Sequence, residues 1–225
     1  MNKSTLIIPD LHIPFEHKDV LTFCKRIHKA FKCSRVVCIG DLVDNHSISY
    51  HEHDPDGWSP ADEMKEADKH LKKWFAAFPN VYLCRGNHDR MVDRKSKTVG
   101  LPSRCFKSFR DMWKLPVGWK DDFTWTFDGV CYEHGSTTGR YAHIQAALDN
   151  RMSTVIGHTH STAGVEWLAN ERDLIFAMNV GCGLDRNKYA FDYGRQFRKK
   201  PIVACGVVTL TKYGNNAHVY PMKMN

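Results

Sequence analysis

The sequence predicts an α/β fold built on parallel strands, and three observations predict it. Short apolar runs recur at Leu6-Ile7-Ile8, Arg35-Val36-Val37-Cys38-Ile39 and Val81-Tyr82-Leu83-Cys84, each of strand length. The segments between them carry apolar residues at helical spacing. Each run stops at a polar cluster: Asp10-Leu11-His12, Gly40-Asp41-Leu42-Val43-Asp44 and Gly86-Asn87-His88-Asp89. Strand–helix–strand order implies parallel neighbours joined by a right-handed crossover. The three polar tips then share one edge of a sheet, the edge at which open α/β sheets bind ligands.

After the first strand, residues 18–31 place Val20, Phe23, Cys24, Ile27 and Phe31 on one helical face. Residues 46–60 are rich in His, Asp, Gly and Pro and read as a loop. A helix is expected over residues 61–77, with Ser59-Pro60 as its cap and first-turn pair. Residues 90–120 break the rhythm. Their cations, with Trp113 and Trp119 among them, suggest a loop plus a short helix flanking the sheet edge. Residues 123–127 alternate, Asp128-Gly129 is a two-residue hairpin signal, and Val130-Cys131-Tyr132 returns to Glu133-His134-Gly135. A helix over 140–149 precedes the strand Thr154-Val155-Ile156, which stops at Gly157-His158-Thr159-His160. Strand-like runs follow at 163–168, 173–178, 202–210 and 216–220. No repeat or linker interrupts the chain, which reads as one domain over residues 1–225.

Composition narrows the setting. A chain of 225 residues is long enough for one large core, and its six Trp residues belong to a globular protein. No apolar stretch approaches the ~20 residues that span a bilayer, so no membrane association is expected. The start, Met1-Asn2-Lys3-Ser4-Thr5, lacks a signal-peptide layout. The eight cysteines form no C-x-x-C pair, which argues against a zinc ribbon and for a reducing, cytoplasmic setting. The net charge of +7 points weakly to an acidic partner.

Metals that activate water need carboxylate oxygens, imidazole nitrogens and an open position. The strand tips supply Asp10, His12, Asp41, Asn87, His134, His158 and His160. One carboxylate must bridge if two ions sit ~3.5–4 Å apart, and Asp41 lies in the middle of the set. In order, Asp10-x-His12, Gly40-Asp41-x-x-Asp44, Gly86-Asn87-His88-Asp89, His134 and Gly157-His158-x-His160 resemble the motif set of the calcineurin-like metallophosphoesterases. These positions span residues 10–160.

The resemblance implies a four-layer α/β/β/α sandwich with two mixed β-sheets and a dinuclear metal site at strand C-terminal ends. It implies two divalent metal ions, Mn²⁺ first, with Fe, Zn, Ni or Co acceptable to the same donors. One ion would take Asp10, His12, Asp41 and His160; the other would take Asp41, Asn87, His134 and His158. A metal-bridging hydroxide would attack phosphorus in line. His88 would meet the substrate phosphate as a catalytic residue, and Asp89 would orient His88. The chain departs from the protein-phosphatase branch, which continues the second motif with Arg-Gly where this sequence has Asn45-His46, and which usually has Glu at the position of Asp89. Arg85, Arg140 and Arg186 are the candidate substrate clamps, with Arg90 a further one.

The expected function is hydrolysis of a phosphodiester in a nucleic acid or nucleotide. A protein or small-molecule phosphomonoesterase is the second reading, and a metal-retaining binding module the third. Asp44 reads equally as a partner of a ligand and as a cap. His51-Glu52-His53-Asp54 reads as a solvated loop. The stretch from Arg186 to Lys200 interleaves cations with aromatics, as single-stranded nucleic-acid sites do, but reads first as a solvated loop whose aromatics pack on the sheet.

Overall fold

The computed structural model describes residues 3–50, 56–188 and 198–223. His51 to Asp54 and residues 189–197, within the basic aromatic stretch, lie outside them. The strands β1 (Lys3–Ile8), β2 (Arg35–Cys38), β3 (Val81–Cys84) and β4 (Trp119–Asp122) run parallel as neighbours. Their register sets Leu6 opposite Val36, Val37 opposite Tyr82 and Val81 opposite Trp119. The second sheet contains β5 (Thr124–Phe127), β6 (Val130–Glu133), β7 (Ser153–Ile156), β8 (Ala163–Ala169) and β9 (Leu174–Val180), in the order β5-β6-β7-β9-β8. Its three central strands are parallel and its two edges antiparallel. Returning to the first sheet, β10 (Ala204–Thr211) and β11 (Gly214–Pro221) extend it beyond β1 in antiparallel fashion. Both sheets are therefore mixed, as expected.

Strand alternation explains the layering. Ile7, Val37 and Ile39 point to one face and meet Tyr132, Val155, Phe176 and Met178 of the second sheet. Their neighbours Leu6, Ile8, Val36 and Cys38 point the other way. There they pack on Val20, Phe23 and Cys24 of α1 (Val20–Ala30) and on Ala67, Leu71 and Trp74 of α2 (Pro60–Ala77). Each fully buried aliphatic side chain contributes roughly 1.5–3 kcal/mol, so the two clusters dominate the stability. The cap of α2 forms as its sequence suggests: Ser59 accepts from Asp62 N at 3.2 Å, with Pro60 in the first turn.

Residues 90–120 hold more structure than expected. They form α3 (Met91–Thr98) and α4 (Phe109–Met112) before entering β4. The strand β4 reads Trp119-Lys120-Asp121-Asp122 and carries one apolar residue, so it has no strand pattern of its own. Pairing with β3 and the buried indole of Trp119, which donates to Phe78 O at 2.8 Å, hold it in place. The hairpin after it is local. Asp128 and Gly129 have φ of 53° and 76°, the paired left-handed geometry of a type I′ turn. A fifth helix, α5 (Ala142–Asn150), covers β7 and β9, and with α1 and α2 gives the four layers. Among the described residues no helix is long and apolar enough to cross a membrane.

Candidate metal centre

Five strands of the two sheets deliver their C-terminal tips to one place. The structure brings all seven expected ligands together. Asp10, His12, Asp41 and His160 offer ligand atoms within 4.8 Å of one another, and so do Asp41, His134 and His158. Asp41 belongs to both groups. The amide oxygen of Asn87 stands 3.1 Å from His134 Nε2, completing the second group. Asp10, His12, Asp41 and His134 are buried, while Asn87, His158 and His160 are partly open.

The backbone makes these tips with strained turns. His12, Asp41 and His158 have φ of 52°, 43° and 61°, a left-handed conformation that costs non-glycine residues roughly 1–3 kcal/mol each. Hydrogen bonds hold them there: His12 N donates to Asp41 O at 2.8 Å, and His158 N to Asp10 Oδ2 at 2.7 Å. The Gly86 tip presses on Asp41 in the way the Gly157 tip presses on Asp10. A Cβ at Gly86 would lie 2.1 Å from Asp41 Oδ1, and one at Gly157 would lie 2.1 Å from Asp10 Oδ1. In the first tip, His88 N also donates to Asp41 Oδ1 at 2.8 Å.

The orientation of the lone pairs tests whether these residues fit cations. His134 Nδ1 faces the carbonyl of Ile39 at 3.1 Å and must donate to it. That leaves Nε2 facing Asn87 Oδ1 and Asp41 Oδ2, both at 3.1 Å, and His158 Nδ1 at 3.2 Å. His12 repeats the pattern, with Nδ1 on Asp44 Oδ1 at 2.6 Å and Nε2 facing His160 Nε2 at 3.0 Å. Asp10 Oδ1 is buried with no hydrogen-bond partner. Acceptors converging on acceptors need a cation between them, so the residues fit divalent ions. A proton on Nε2 answers the same demand for positive charge. Burial favours the neutral His134 imidazole, yet Asp41 and Asp10 outweigh burial and push it up to about 10. Burial works against the Asp41 carboxylate too, but His134, His88 and His12 hold it well below its ordinary range.

The expectation that Asp89 orients His88 is corrected by the geometry. Asp89 is buried and its oxygens accept from Val43 N at 3.2 Å and Gly86 N at 2.9 Å, tying the second and third tips together. Burial and then the neighbouring Asp41 push its carboxyl up to about 7. The residue that holds His88 is Asp44, through its carbonyl at 2.6 Å and its carboxylate at 3.3 Å from Nδ1. The same carboxylate fixes His12, so the reading of Asp44 as a ligand's partner stands over the cap reading. His88 lies at the rim, its side chain 14 % exposed. Burial disfavours its charged form, but Asp41 and Asp44 outweigh that and raise its pKa.

The three expected arginine clamps separate. Arg85 is engaged elsewhere, 3.6 Å from Asp121 and stacked on Phe123. Arg140 lines a groove that opens beside His158 and His160. Arg186 is exposed, shortly before residues 189–197. Two supporting residues escaped sequence reasoning. Glu63 accepts from His46 N at 2.7 Å and Ser47 N at 2.8 Å, fixing the chain beyond Asp44. Asn179, fully buried, donates to Gly157 O at 3.2 Å. Each left a trace: Glu63 falls on the stripe of α2 that carries Ala67, Leu71 and Trp74, and Asn179 interrupts an apolar strand.

Solved structures of similar shape are distant in sequence. Vacuolar Protein Sorting 29 from Cryptosporidium parvum shares 14% identity at a TM-score of 0.47, covering 99% of both chains. The phosphoesterase Yfce from E. coli shares 15% at 0.42, over 93% of this chain and 88% of that one. The nuclease MPE of Pseudomonas putida shares 14% at 0.36, over 97% and 87%. Curated protein sequences give no match. The family model described as calcineurin-like phosphoesterase matches residues 3–203. With its motif residues gathered at the tips of both sheets, the chain belongs to the calcineurin-like phosphoesterase family.

Proposed function

We propose that the protein is a dinuclear-metal-dependent phosphoester hydrolase acting on a phosphodiester of a nucleic acid or nucleotide. The observation that carries the reading is Asp41, common to two converging groups of donors. Asp10, His12, Asp41 and His160 would hold one divalent ion, and Asp41, Asn87, His134 and His158 the other. When bound, such a pair lowers the pKa of water and neutralises charge on a transferring phosphoryl group. The chain's own contribution is positional. His88, fixed through Nδ1, presents its other ring nitrogen at the rim, where it donates to a phosphate oxygen and protonates the leaving oxygen. Asp44 accepts from Nδ1 and favours the doubly protonated ring, whose second proton is the one Nε2 gives up. An intact His88–Asp44 pair favours turnover over a binding module that only keeps metals.

The residue after Asp44 favours the diester over the monoester. In place of an arginine stands Asn45, whose amide donates to His88 O at 2.9 Å and serves the loop. Arg85 lies 3.6 Å from Asp121, and both Arg85 and Arg90 sit over the Phe123 ring, so the arginines of the third tip face protein partners. The test is a substrate panel with Mn²⁺: bis-p-nitrophenyl phosphate, p-nitrophenyl phosphate, single-stranded DNA and a phosphopeptide. Turnover of the first and third is expected to exceed that of the second and fourth. Turnover confined to the phosphopeptide overturns the diester reading, and no turnover at all favours the binding module.

A further inference from the structure

The groove beside the metal centre has a volume of 540 Å³, within the ~300–1,000 Å³ of ligand sites. It is bounded by the loop that leads into α5, the turn after β7 and the segment that leads into β10. Among the described residues its lining includes Arg140, Arg198, Lys199 and Lys200, and no carboxylate. His158 and His160 also line it, and these belong to different ligand groups, so the groove meets both halves of the centre. Between them the Thr159 hydroxyl is buried without a hydrogen-bond partner.

A small phosphomonoester carries one phosphate and brings no second one to this groove. A nucleic-acid strand continues past that phosphorus and carries another phosphate with it. We propose that the groove binds the phosphate flanking the scissile one in single-stranded nucleic acid, with Arg140, Arg198 and Lys199 as its contacts. This rests on the diesterase reading above and names where the substrate strand runs. Side chains with only positive charge and hydroxyl groups suit a phosphate backbone and give no sequence preference. Tyr141, 61 % exposed and 5.7 Å from the Arg140 guanidinium, offers a neighbouring base a ring to stack on. A single strand is favoured because its flexible backbone can follow the groove and its unpaired bases are free to stack on Tyr141.

The test uses the full chain with Mn²⁺ and a fluorescein-labelled oligothymidylate. Binding is followed by anisotropy in the His88→Ala background over a range of salt. Adding Arg198→Ala and Lys199→Ala is expected to weaken binding roughly tenfold and to lower the salt slope by about 0.7 per lost contact. The charge reversals Arg198→Glu and Lys199→Glu, with thermal midpoints measured alongside, are expected to weaken it further without unfolding the chain. In the chain that keeps His88, the ratio of kcat/KM for the oligonucleotide to that for bis-p-nitrophenyl phosphate is expected to fall about tenfold. An unchanged ratio and slope overturn the groove as a strand site. Hydrolysis of bis-p-nitrophenyl phosphate without oligothymidylate binding overturns the groove and leaves the hydrolase intact. Salt-dependent binding lost with the groove cations, but with no ester turned over, supports the groove and overturns the hydrolase. A phosphopeptide that binds more tightly than the oligonucleotide, and depends on the same cations, also overturns the strand assignment.

Discussion

The carboxylate of Asp44 lies on two imidazoles, His12 Nδ1 at 2.6 Å and His88 Nδ1 at 3.3 Å, whereas that of Asp89 accepts from the backbone N–H groups of Val43 and Gly86. One acid therefore sets the tautomer of a ligand and orients the rim histidine, and the other fastens two loops. Substitution separates the two roles. Asp44→Asn is expected to lower turnover about 10–100-fold, the usual cost of losing a ligand's supporting partner, with a nearly unchanged unfolding midpoint. Asp89→Asn places an amide where two N–H groups point and is expected to cost about 1–3 kcal/mol in denaturant unfolding. Activity of the Asp44 variant within twofold of the parent chain contradicts this division. The sequence alone does not assign the two acids, because each closes a tip that opens on glycine and which histidine it meets depends on how tips far apart in the chain pack.

At the scale of elements, the same change at two glycines distinguishes a site turn from a structural one. Gly86 has no room, since a Cβ there meets Asp41 Oδ1 at 2.1 Å, while at Gly129 nothing lies within 4 Å. Gly86→Ala is expected to displace the third tip and cut bound metal by more than half, measured by elemental analysis of the purified chain. Gly129→Ala, at φ 76°, is expected to cost only the roughly 1–2 kcal/mol of a left-handed residue and to leave metal content unchanged. Equal metal loss from both variants is the contrary outcome. Elements were legible where their pattern is local: β1, β2 and β3 as apolar runs, α2 from its cap and stripe, the β5–β6 hairpin from Asp128-Gly129. The strand β4 was not, because one buried tryptophan and an edge pairing hold it and neither shows as a periodicity. The helix α3 sits within a cation-rich stretch where charge masks the helical face.

For the whole molecule, two mixed sheets stacked through Ile7, Val37, Tyr132 and Met178 bring tips from residues 10 to 160 to one centre. The ligands were legible because each falls just beyond a strand and parallel order puts those ends on one edge. The groove was only half legible. Arg140 and the Arg198–Lys200 segment lie far apart in sequence, and only the fold brings them to one groove with His158 and His160. What joins the two halves of the centre is Asp41, and the most direct measurement is metal stoichiometry in three single variants. The parent chain is expected to hold two equivalents, His160→Ala and His158→Ala about one each, and Asp41→Asn fewer than one, because it removes the donor that both groups share. Two equivalents retained by Asp41→Asn, or a loss no greater than that of either histidine variant, would contradict a shared carboxylate at the heart of the site.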